Sequence, residues 1–250
     1  STIISVDMPP RDETPSYSGD IDDLDDLCDA FRWAEQQGFV DAISGGPHAV
    51  GTTLEIMLNH DLDADAASDF GFTELKAQRE NTGSPTTLFT KEPTYNEGWS
   101  MRKIIEKHGY RDNDDLLALR INLYGHDNHG LYLEGYEDSM SLFSTEYGEI
   151  GSWSDYDLDA GLEKIRDVCY ITAETDYGDN GETFWYNSFK RLTLPDDFDY
   201  TDFVELIDEG SISIEIRAYI RESGQVRNHG TAFRSPDITS ISSYDWEDLI

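Results

Sequence analysis

Two acidic residues and a lysine, Asp69 and the run Glu74-Leu75-Lys76, have the types and spacing needed for metal-assisted hydrolysis. On a β-strand, side chains two residues apart point to the same face, roughly 6.6 Å from each other, so we expect Glu74 and Lys76 to share a face. Gly71 permits a bend that would return the Asp69 carboxylate to the side of Glu74. Paired carboxylates offer the oxygen ligands that Mg²⁺ prefers. Such an ion polarises a scissile phosphate and lowers the pKa of a bound water, which Lys76 would orient or deprotonate.

A third carboxylate, Glu55, lies upstream on a segment that is predicted to be helical, and it is a further candidate ligand for the same ion. The chain contains 52 acidic residues, however. Most acids in such a chain are solvated surface groups, and a D-x₄-E-x-K pattern also arises by chance. The spacing alone therefore supports a metal-binding hypothesis and no more specific function.

Helical and strand patterns alternate along the chain. Predicted helices cover residues 21–37, 52–59, 100–108, 158–167 and 198–209, and predicted strands cover 70–77, 86–90, 116–123, 130–133, 168–173 and 212–220. Residues 184–192 are ambiguous, residues 1–20 read as an irregular arm, 61–68 as an acidic loop and 235–250 as a polar, less ordered tail. Interleaved helices and strands predict an α/β or α+β protein.

The composition is extremely acidic, with 52 Asp and Glu against 18 Lys and Arg and a formal net charge of −34. Only six of the cations are lysine, at positions 76, 91, 103, 107, 164 and 190. Abundant acid with scarce lysine is typical of proteins in a cytoplasm that holds molar salt, where the Debye length falls to about 3 Å and self-repulsion is screened. We therefore predict a halophilic, cytoplasmic protein.

This charge argues at first against nucleic-acid binding, which usually needs a basic surface. Two segments are nevertheless locally cationic. Residues 99–111 contain four cations and one acid, which gives 4 − 1 = +3, and residues 211–235 contain four arginines and two acids, which gives 4 − 2 = +2. Each is either ordinary surface or a place where a polyanion binds.

Cys28 and Cys169 lie among apolar neighbours and outside any CxxC pair, so they are expected to be buried thiols in a reducing compartment. A structural zinc site is not expected from so few thiols. No apolar stretch approaches the length of a membrane span, and no signal peptide is recognised, so we predict no membrane association.

Four blocks of the sequence, in order, resemble the MvaI/BcnI type II restriction endonucleases. That family is related to the mismatch-repair nickase MutH within the PD-(D/E)xK nuclease superfamily. The blocks extend from about residue 38 to 235. They are Thr53-Leu54-Glu55, then Asp69 with Glu74-Leu75-Lys76-Ala77, then Thr87-Leu88-Phe89-Thr90-Lys91-Glu92-Pro93, and finally Arg227-Asn228-His229-Gly230-Thr231-Ala232-Phe233-Arg234.

The resemblance implies a PD-(D/E)xK-like central mixed sheet flanked by helices in a two-lobed monomer, with Mg²⁺ as cofactor and double-stranded DNA as substrate. Carried over by motif, Glu55, Asp69, Glu74 and Lys76 become the catalytic set, and the three acids the metal ligands. Residues 20–200 would be mainly catalytic core and 205–250 would carry recognition elements. The family's CC-N-GG-type sites and single active centre imply two successive nicks, and a cognate DNA methyltransferase is the expected partner. The acidity and the acidic arm 1–30 depart from the family.

Candidate DNA contacts come from both the composition and the resemblance. Arginine forks bond guanine O6 and N7, so a GC-rich site favours arginine. Arg227, Asn228, His229 and Arg234 are predicted to lie in a loop and short segment after the strand 212–220, and a loop there could enter the major groove. The alternative for Arg79, Arg217 and Arg234 is a structural ion pair with an acid, and the alternative for His229 is a plain surface position. His126 and His129 read as surface. The candidates are Arg79, Lys91, Arg217, Arg227, Asn228, His229 and Arg234.

Two other functions fit parts of the sequence. An acidic mimic of DNA that binds a nuclease or repressor would explain the charge, but it has no need of the E-x-K strand or the arginine-rich segment. A MutH-like repair nickase would use the same catalytic residues, so site preference and genetic context alone would separate it from a restriction enzyme.

Overall fold

The computed structural model describes residues 14–60, 69–124, 128–178 and 181–250. They form two compact units. The first comprises the described residues up to Gly83, those of Arg166–Leu194, and Tyr244–Ile250; the second comprises those of Ser84–Ile165 and Pro195–Ser243. Most of the predicted arm, the acidic loop 61–68 and His126 lie outside the described residues.

Helices and strands alternate in a mixed α+β arrangement. The helices are α1 (Leu24–Gln36), α2 (Ala49–Met57), α3 (Met101–His108), α4 (Asp155–Arg166) and α5 (Tyr200–Asp208). The strands are β1 (Val40–Asp41), β2 (Glu74–Arg79), β3 (Thr86–Thr90), β4 (Thr94–Tyr95), β5 (Tyr110–Arg111), β6 (Leu117–Leu123), β7 (Leu131–Gly135), β8 (Ser139–Ser144), β9 (Gly148–Ser154), β10 (Asp167–Gly178), β11 (Gly181–Thr193), β12 (Ser213–Ile220), β13 (Val226–Ser235) and β14 (Asp245–Asp248).

The first unit is built on a mixed five-stranded sheet. Its order is β1-β11-β10-β2, with β14 also paired to β11. Strand β2 runs parallel to β10, and the other pairs are antiparallel. Buried side chains of α1 and α2 pack with those of the sheet, and the Phe31 ring of α1 stacks on Phe189 at 4.6 Å. The predicted mixed sheet with flanking helices is confirmed.

The second unit contains two antiparallel sheets. One has the order β3-β13-β12-β6-β5 and the other the order β4-β9-β8-β7. The aromatic rings of Phe89, Phe203 and Phe233 lie 4.6–5.7 Å apart and fill its core. The Trp153 ring meets Phe233 at 5.9 Å, and its indole N–H donates to the Lys91 carbonyl at 2.9 Å. This core fixes the sheet that carries the C-terminal cationic segment.

Local chemistry sets several of the element boundaries. The Asp23 side chain accepts the Asp26 amide and begins α1, and the Ser100 side chain accepts the Lys103 amide and begins α3. Strand β2 begins at Glu74 rather than at the predicted residue 70, because Gly71 has a φ of +74° and the Phe70 amide donates to the Thr73 carbonyl at 3.3 Å. The residues before Glu74 therefore form a turn.

The largest differences from the sequence prediction lie in strands. Residues 227–233 were expected in a loop and lie on β13, which pairs with both β12 and β3. The ambiguous segment around 184–192 is the long strand β11, and β8 and β9 were not predicted. The tail contains a 3₁₀ turn (Ile238–Ser240) and β14. These strands are stabilised by distant partners, which local periodicity does not reveal.

Both cysteines are buried and free, as the sequence suggested. Burial raises the pKa of the Cys169 thiol to about 12, so this side chain behaves as an inert apolar group. Within the described part of the chain, none of the helices combines the length and the apolar character needed to span a membrane.

Candidate active site and nucleic-acid interface

The turn before β2 returns Asp69 to the start of that strand. The Leu75 amide donates to Asp69 Oδ2 at 2.8 Å, so the carboxylate lies directly beside the Glu74-Leu75-Lys76 run. Gly71 permits the reversal through its positive φ. The bend expected from the sequence is confirmed, and Asp69 is anchored by its own strand.

Glu74 and Lys76 project from the same face of β2, as period-two alternation requires. Lys76 Nζ lies 2.6 Å from Glu74 Oε1, and the two side chains are only 18% and 7% exposed. Leu75 points the other way and belongs to the apolar core of the unit. A carboxylate and an ammonium are thus fixed side by side at the edge of a packed interior.

Glu55 joins this group from α2, which packs against β2. Burial raises the pKa of Glu55, and the neighbouring charges of Asp69 and Glu74 raise it further, while His60 and Lys76 act in the opposite direction. The four predicted site residues therefore lie within electrostatic reach of one another. We refer to Glu55, Asp69, Glu74 and Lys76 as the carboxylate–lysine cluster.

His60 is a member of this neighbourhood that the sequence interpretation missed. Its amide donates to the Glu55 carbonyl at 2.9 Å, and its ring lies 4.7 Å from Phe70 in the turn that follows. Its place just beyond the helix that carries Glu55 was the available signal. Its charge is one of those that lower the pKa of Glu55.

The donor set of the cluster fits a hard cation. Its acidic members supply carboxylate oxygens, and the pKa of Glu55 is raised first by burial and then by the negative charge of Asp69, which a divalent ion would offset. Among the described residues, no three acid, imidazole or thiol groups are arranged to enclose an ion by themselves. Binding of an ion by Glu55, Asp69 and Glu74 therefore stays a prediction from the sequence.

Arg79, at the end of β2, is engaged in structural contacts. Its Nε and Nη2 lie 2.6 and 2.7 Å from the two carboxylate oxygens of Glu182. It also donates to the Gly46 and Pro47 carbonyls and stacks over Phe184 at 5.2 Å. An ion pair was the alternative to DNA contact for Arg79, and the structure shows such a pair, with Glu182 of β11.

A cationic surface lies on the exposed face of the sheet that contains β12. Arg217 of β12 stands directly opposite Arg120 of β6, and Tyr219 stands opposite Arg227 of β13. The ladder is irregular between Ile216 and Ala218, and this places His229 beside Arg217. We call Arg120, Arg217, Arg227 and His229 the arginine face.

The charges of the arginine face act on one another. Burial lowers the pKa of His229, and Arg227, Arg217 and Arg120 lower it further. Like charges directly opposite each other destabilise a sheet, and nearby acids offset part of this repulsion, since Arg120 lies 3.1 Å from Asp112 and Arg217 lies 3.8 Å from Glu215. The ion pair weighed as the alternative for Arg217 is therefore present, although its side chain stays 48% exposed. Arg120 was missed by the sequence interpretation, although its alternation with Leu119 and Ile121 on β6 marked it as facing out.

The other predicted DNA contacts have defined partners. Arg234 Nη1 lies 2.6 Å from Glu215 Oε2, and its Nη2 donates to the Pro85 carbonyl. Asn228 donates to Glu92 Oε1 at 3.1 Å, and Lys91 forms a half-exposed ion pair with Asp157 at 3.2 Å. These contacts hold β13 and its neighbours in place.

Comparison with known proteins gives a consistent result. The model of the MvaI/BcnI restriction endonuclease family matches residues 29–242. The fold is similar to that of the restriction endonuclease MvaI in complex with its cognate DNA substrate, with 22% sequence identity, coverage of 93% of this chain and 100% of the other, and a TM-score of 0.76. It is also similar to MvaI in the absence of DNA, with 22% identity, 94% and 100% coverage and a TM-score of 0.52. No curated protein matches the chain.

Proposed function

The chain belongs to the MvaI/BcnI restriction endonuclease family and is a type II site-specific deoxyribonuclease, and from this premise we propose that it cuts double-stranded DNA in a Mg²⁺-dependent reaction at the carboxylate–lysine cluster. The observation that supports this most is the convergence of Asp69, Glu74 and Lys76 on one edge of the mixed sheet, with Glu55 in electrostatic reach. The proposed recognition site is a short GC-rich pseudopalindrome of the CC-N-GG type, as the family suggests.

Each member of the cluster has a distinct proposed role. Asp69, Glu74 and Glu55 would hold Mg²⁺, which supplies charge stabilisation for the scissile phosphate and a lower pKa for a bound water. Lys76, held by Glu74, presents its ammonium to the phosphate oxygens and orients the attacking water. Asp69 keeps its position because its Oδ2 is tied to the strand amide of Leu75.

A single cluster in a monomer cuts one strand at a time. A double-strand break then takes two successive nicks, and on a pseudopalindrome the protein rebinds in the opposite orientation for the second. The order of plasmid forms reports this directly, because supercoiled DNA passes through an open circle before it becomes linear.

Base recognition is proposed for the arginine face. Arginine forks read guanine through O6 and N7, and each such pair discriminates by about 1–3 kcal/mol. Arg227 and Arg217 are exposed on that face, and the lowered pKa of His229 keeps its imidazole neutral at neutral pH, able both to accept and to donate. Lys91 and Asn228 are secondary candidates, whereas the ion pairs of Arg79 and Arg234 favour structural roles.

The test is a time course on unmethylated supercoiled plasmid in molar KCl, with Mg²⁺ or with a chelator. We expect an open-circle intermediate followed by linear DNA, and no reaction with the chelator. Accumulation of open circles alone would favour a MutH-like nickase. Absence of any cutting by folded protein, at every salt concentration, would defeat the endonuclease proposal and favour an acidic binding protein.

The biological setting is proposed from composition and family together. A net charge of −34 supports a salt-in cytoplasm, where unfolding midpoints should rise with KCl; full stability in dilute buffer would contradict this. A restriction enzyme needs a partner that protects host DNA, so a DNA methyltransferase gene is expected beside this one.

A further inference from the structure

The cationic segment 99–111 contributes to a surface that neither the carboxylate–lysine cluster nor the arginine face includes. Lys103 Nζ lies 4.6 Å from the centre of the Trp99 ring, and Lys107 Nζ lies 5.1 Å from that of Tyr147. The two rings are 5.6 Å apart. We call Trp99, Lys103, Lys107 and Tyr147 the α3 lysine face.

Lysine is scarce in this chain, and the α3 lysine face contains two lysines. Two of the six lysines of the chain lie one helical turn apart on α3, where residues i and i+4 are neighbours on one face. Together with Arg102, they outnumber the only acid of the helix, Glu106, which gives 3 − 1 = +2. Such local positive charge stands out in a chain with a net charge of −34.

The lysines also differ from most cations here in their partners. Glu106 lies 3.6 Å from Arg102 and neutralises it, and Lys91 and Lys190 have carboxylates at 3.2 and 3.1 Å. Lys103 and Lys107 instead rest on aromatic faces, and no carboxylate of the described residues lies within ion-pair distance of either. With 52 acids against 18 cations, a lysine is expected to find an acid unless its position keeps acids away.

An aromatic ring affects the charge of a neighbouring lysine differently from a carboxylate. The ring attracts the ammonium weakly, by about 0.5–1 kcal/mol at an exposed site, and leaves its full charge available. The Lys103 ammonium is further placed by its hydrogen bond to the Gly98 carbonyl at 2.9 Å. Tyr147 is 40% exposed, so the face is open to a large ligand. Two oriented ammonium groups without an ion-pair partner among the described residues suit adjacent phosphates of a nucleic-acid strand.

We propose that the α3 lysine face binds backbone phosphates of duplex DNA without regard to base identity. This inference rests on the proposed function, because it assigns a second contact surface for the same substrate. Each ammonium that replaces a condensed counterion contributes about 0.9 to the slope of log K against log salt. Two such contacts therefore contribute about 1.8 to that slope.

The experiment measures binding of a non-specific duplex by the full chain against KCl concentration, in the range where circular dichroism shows folded protein. For Lys103→Gln combined with Lys107→Gln we expect a slope shallower by about 1.8, with the same loss on site-containing and site-free duplexes. Arginine at both positions should restore the slope. Lys190→Gln is the matched control. Lys190 also lies over an aromatic ring, that of Trp246 at 4.2 Å, but it has a carboxylate partner in Asp248. The Lys190→Gln protein should therefore show the same salt slope as the wild type.

The outcomes separate the inference from the proposed function. If the double glutamine variant keeps the wild-type slope while the protein still cuts plasmid, the inference is wrong and the proposed function stands. A loss confined to site-containing DNA would likewise overturn it, since that would mean base reading. If the folded wild type neither binds nor cuts duplex DNA at any salt, the proposed function and the inference fall together.

Discussion

Asp69 is predicted to have two separable roles, which a pair of substitutions distinguishes. Its Oδ2 accepts the Leu75 amide at 2.8 Å, which anchors the turn, and its charge contributes to the cluster around Glu55. Asp69→Asn keeps an oxygen that can accept the amide but removes the charge. Asp69→Ala removes both. We expect both variants to lose cutting, and only the alanine variant to lose stability.

The magnitudes follow from the environment of the bond. The Leu75 amide lies in a residue that is only 7% exposed, and a hydrogen bond to a charged acceptor contributes about 1.5–3 kcal/mol. Asp69→Ala should therefore lower Tm by about 3–12 °C, at about 2–4 °C per kcal/mol for a chain of this size. Asp69→Asn should stay within about 2–4 °C of the wild type, because its amide oxygen still accepts the Leu75 amide. Relief of the repulsion with Glu55 is common to both variants and does not separate them.

The assays are thermal unfolding in molar KCl without metal, and plasmid cutting with Mg²⁺ under single-turnover conditions. We expect both variants to cut at least about 10²-fold more slowly, the smallest loss typical of removing one electrostatic stabiliser of a transition state. An asparagine variant that cuts at the wild-type rate would remove Asp69 from the chemistry. An alanine variant as stable as the asparagine variant would refute the anchoring role.

Four further predictions follow from the same geometry. Lys76→Ala should abolish cutting but retain DNA binding in gel-shift assays; retained cutting would exclude Lys76 from the mechanism. Glu55→Gln should raise Tm without metal by about 2–4 °C, the equivalent of about 1 kcal/mol. Burial raises the pKa of Glu55, so its ionisation costs stability as pH rises above the unfolded pKa, and the cost is complete above the folded pKa; an unchanged Tm at neutral pH would contradict this. Arg227→Gln should weaken specific binding by about 1–3 kcal/mol and non-specific binding much less; equal losses would indicate phosphate contact. Arg217→Gln should raise the pKa of His229 in an NMR titration, because Arg217 is one of the cations that lower it; an unchanged pKa would mean that the two do not interact.

The core of the candidate site was predictable because local rules determine it. Period-two alternation placed Glu74 and Lys76 on one face, and Gly71 marked the bend that returns Asp69. These features depend on residues within a few positions of one another. Their assignment as a catalytic centre needed more than spacing in a chain with 52 acids, and the order of the four blocks supplied it.

The arginine face was less predictable because its geometry depends on distant strands. Residues 227–233 are rich in polar residues and suggested a loop, but β13 is held between β12 and β3 by tertiary pairing. The place of Arg120 opposite Arg217 depends on the β6–β12 register, which joins segments about a hundred residues apart. The pairing of Arg79 with Glu182 spans 103 residues and likewise leaves no local signal.

The most direct test of the central claim is to map the DNA ends produced by the wild-type chain from unmethylated DNA in molar KCl with Mg²⁺. Sequencing of the ends should return one short GC-rich pseudopalindrome, cut at a fixed position on each strand, and the Lys76→Ala protein should produce no ends above background. Ends scattered over unrelated sequences, or the same ends from the Lys76→Ala protein, would contradict the account of site-specific cutting at the carboxylate–lysine cluster.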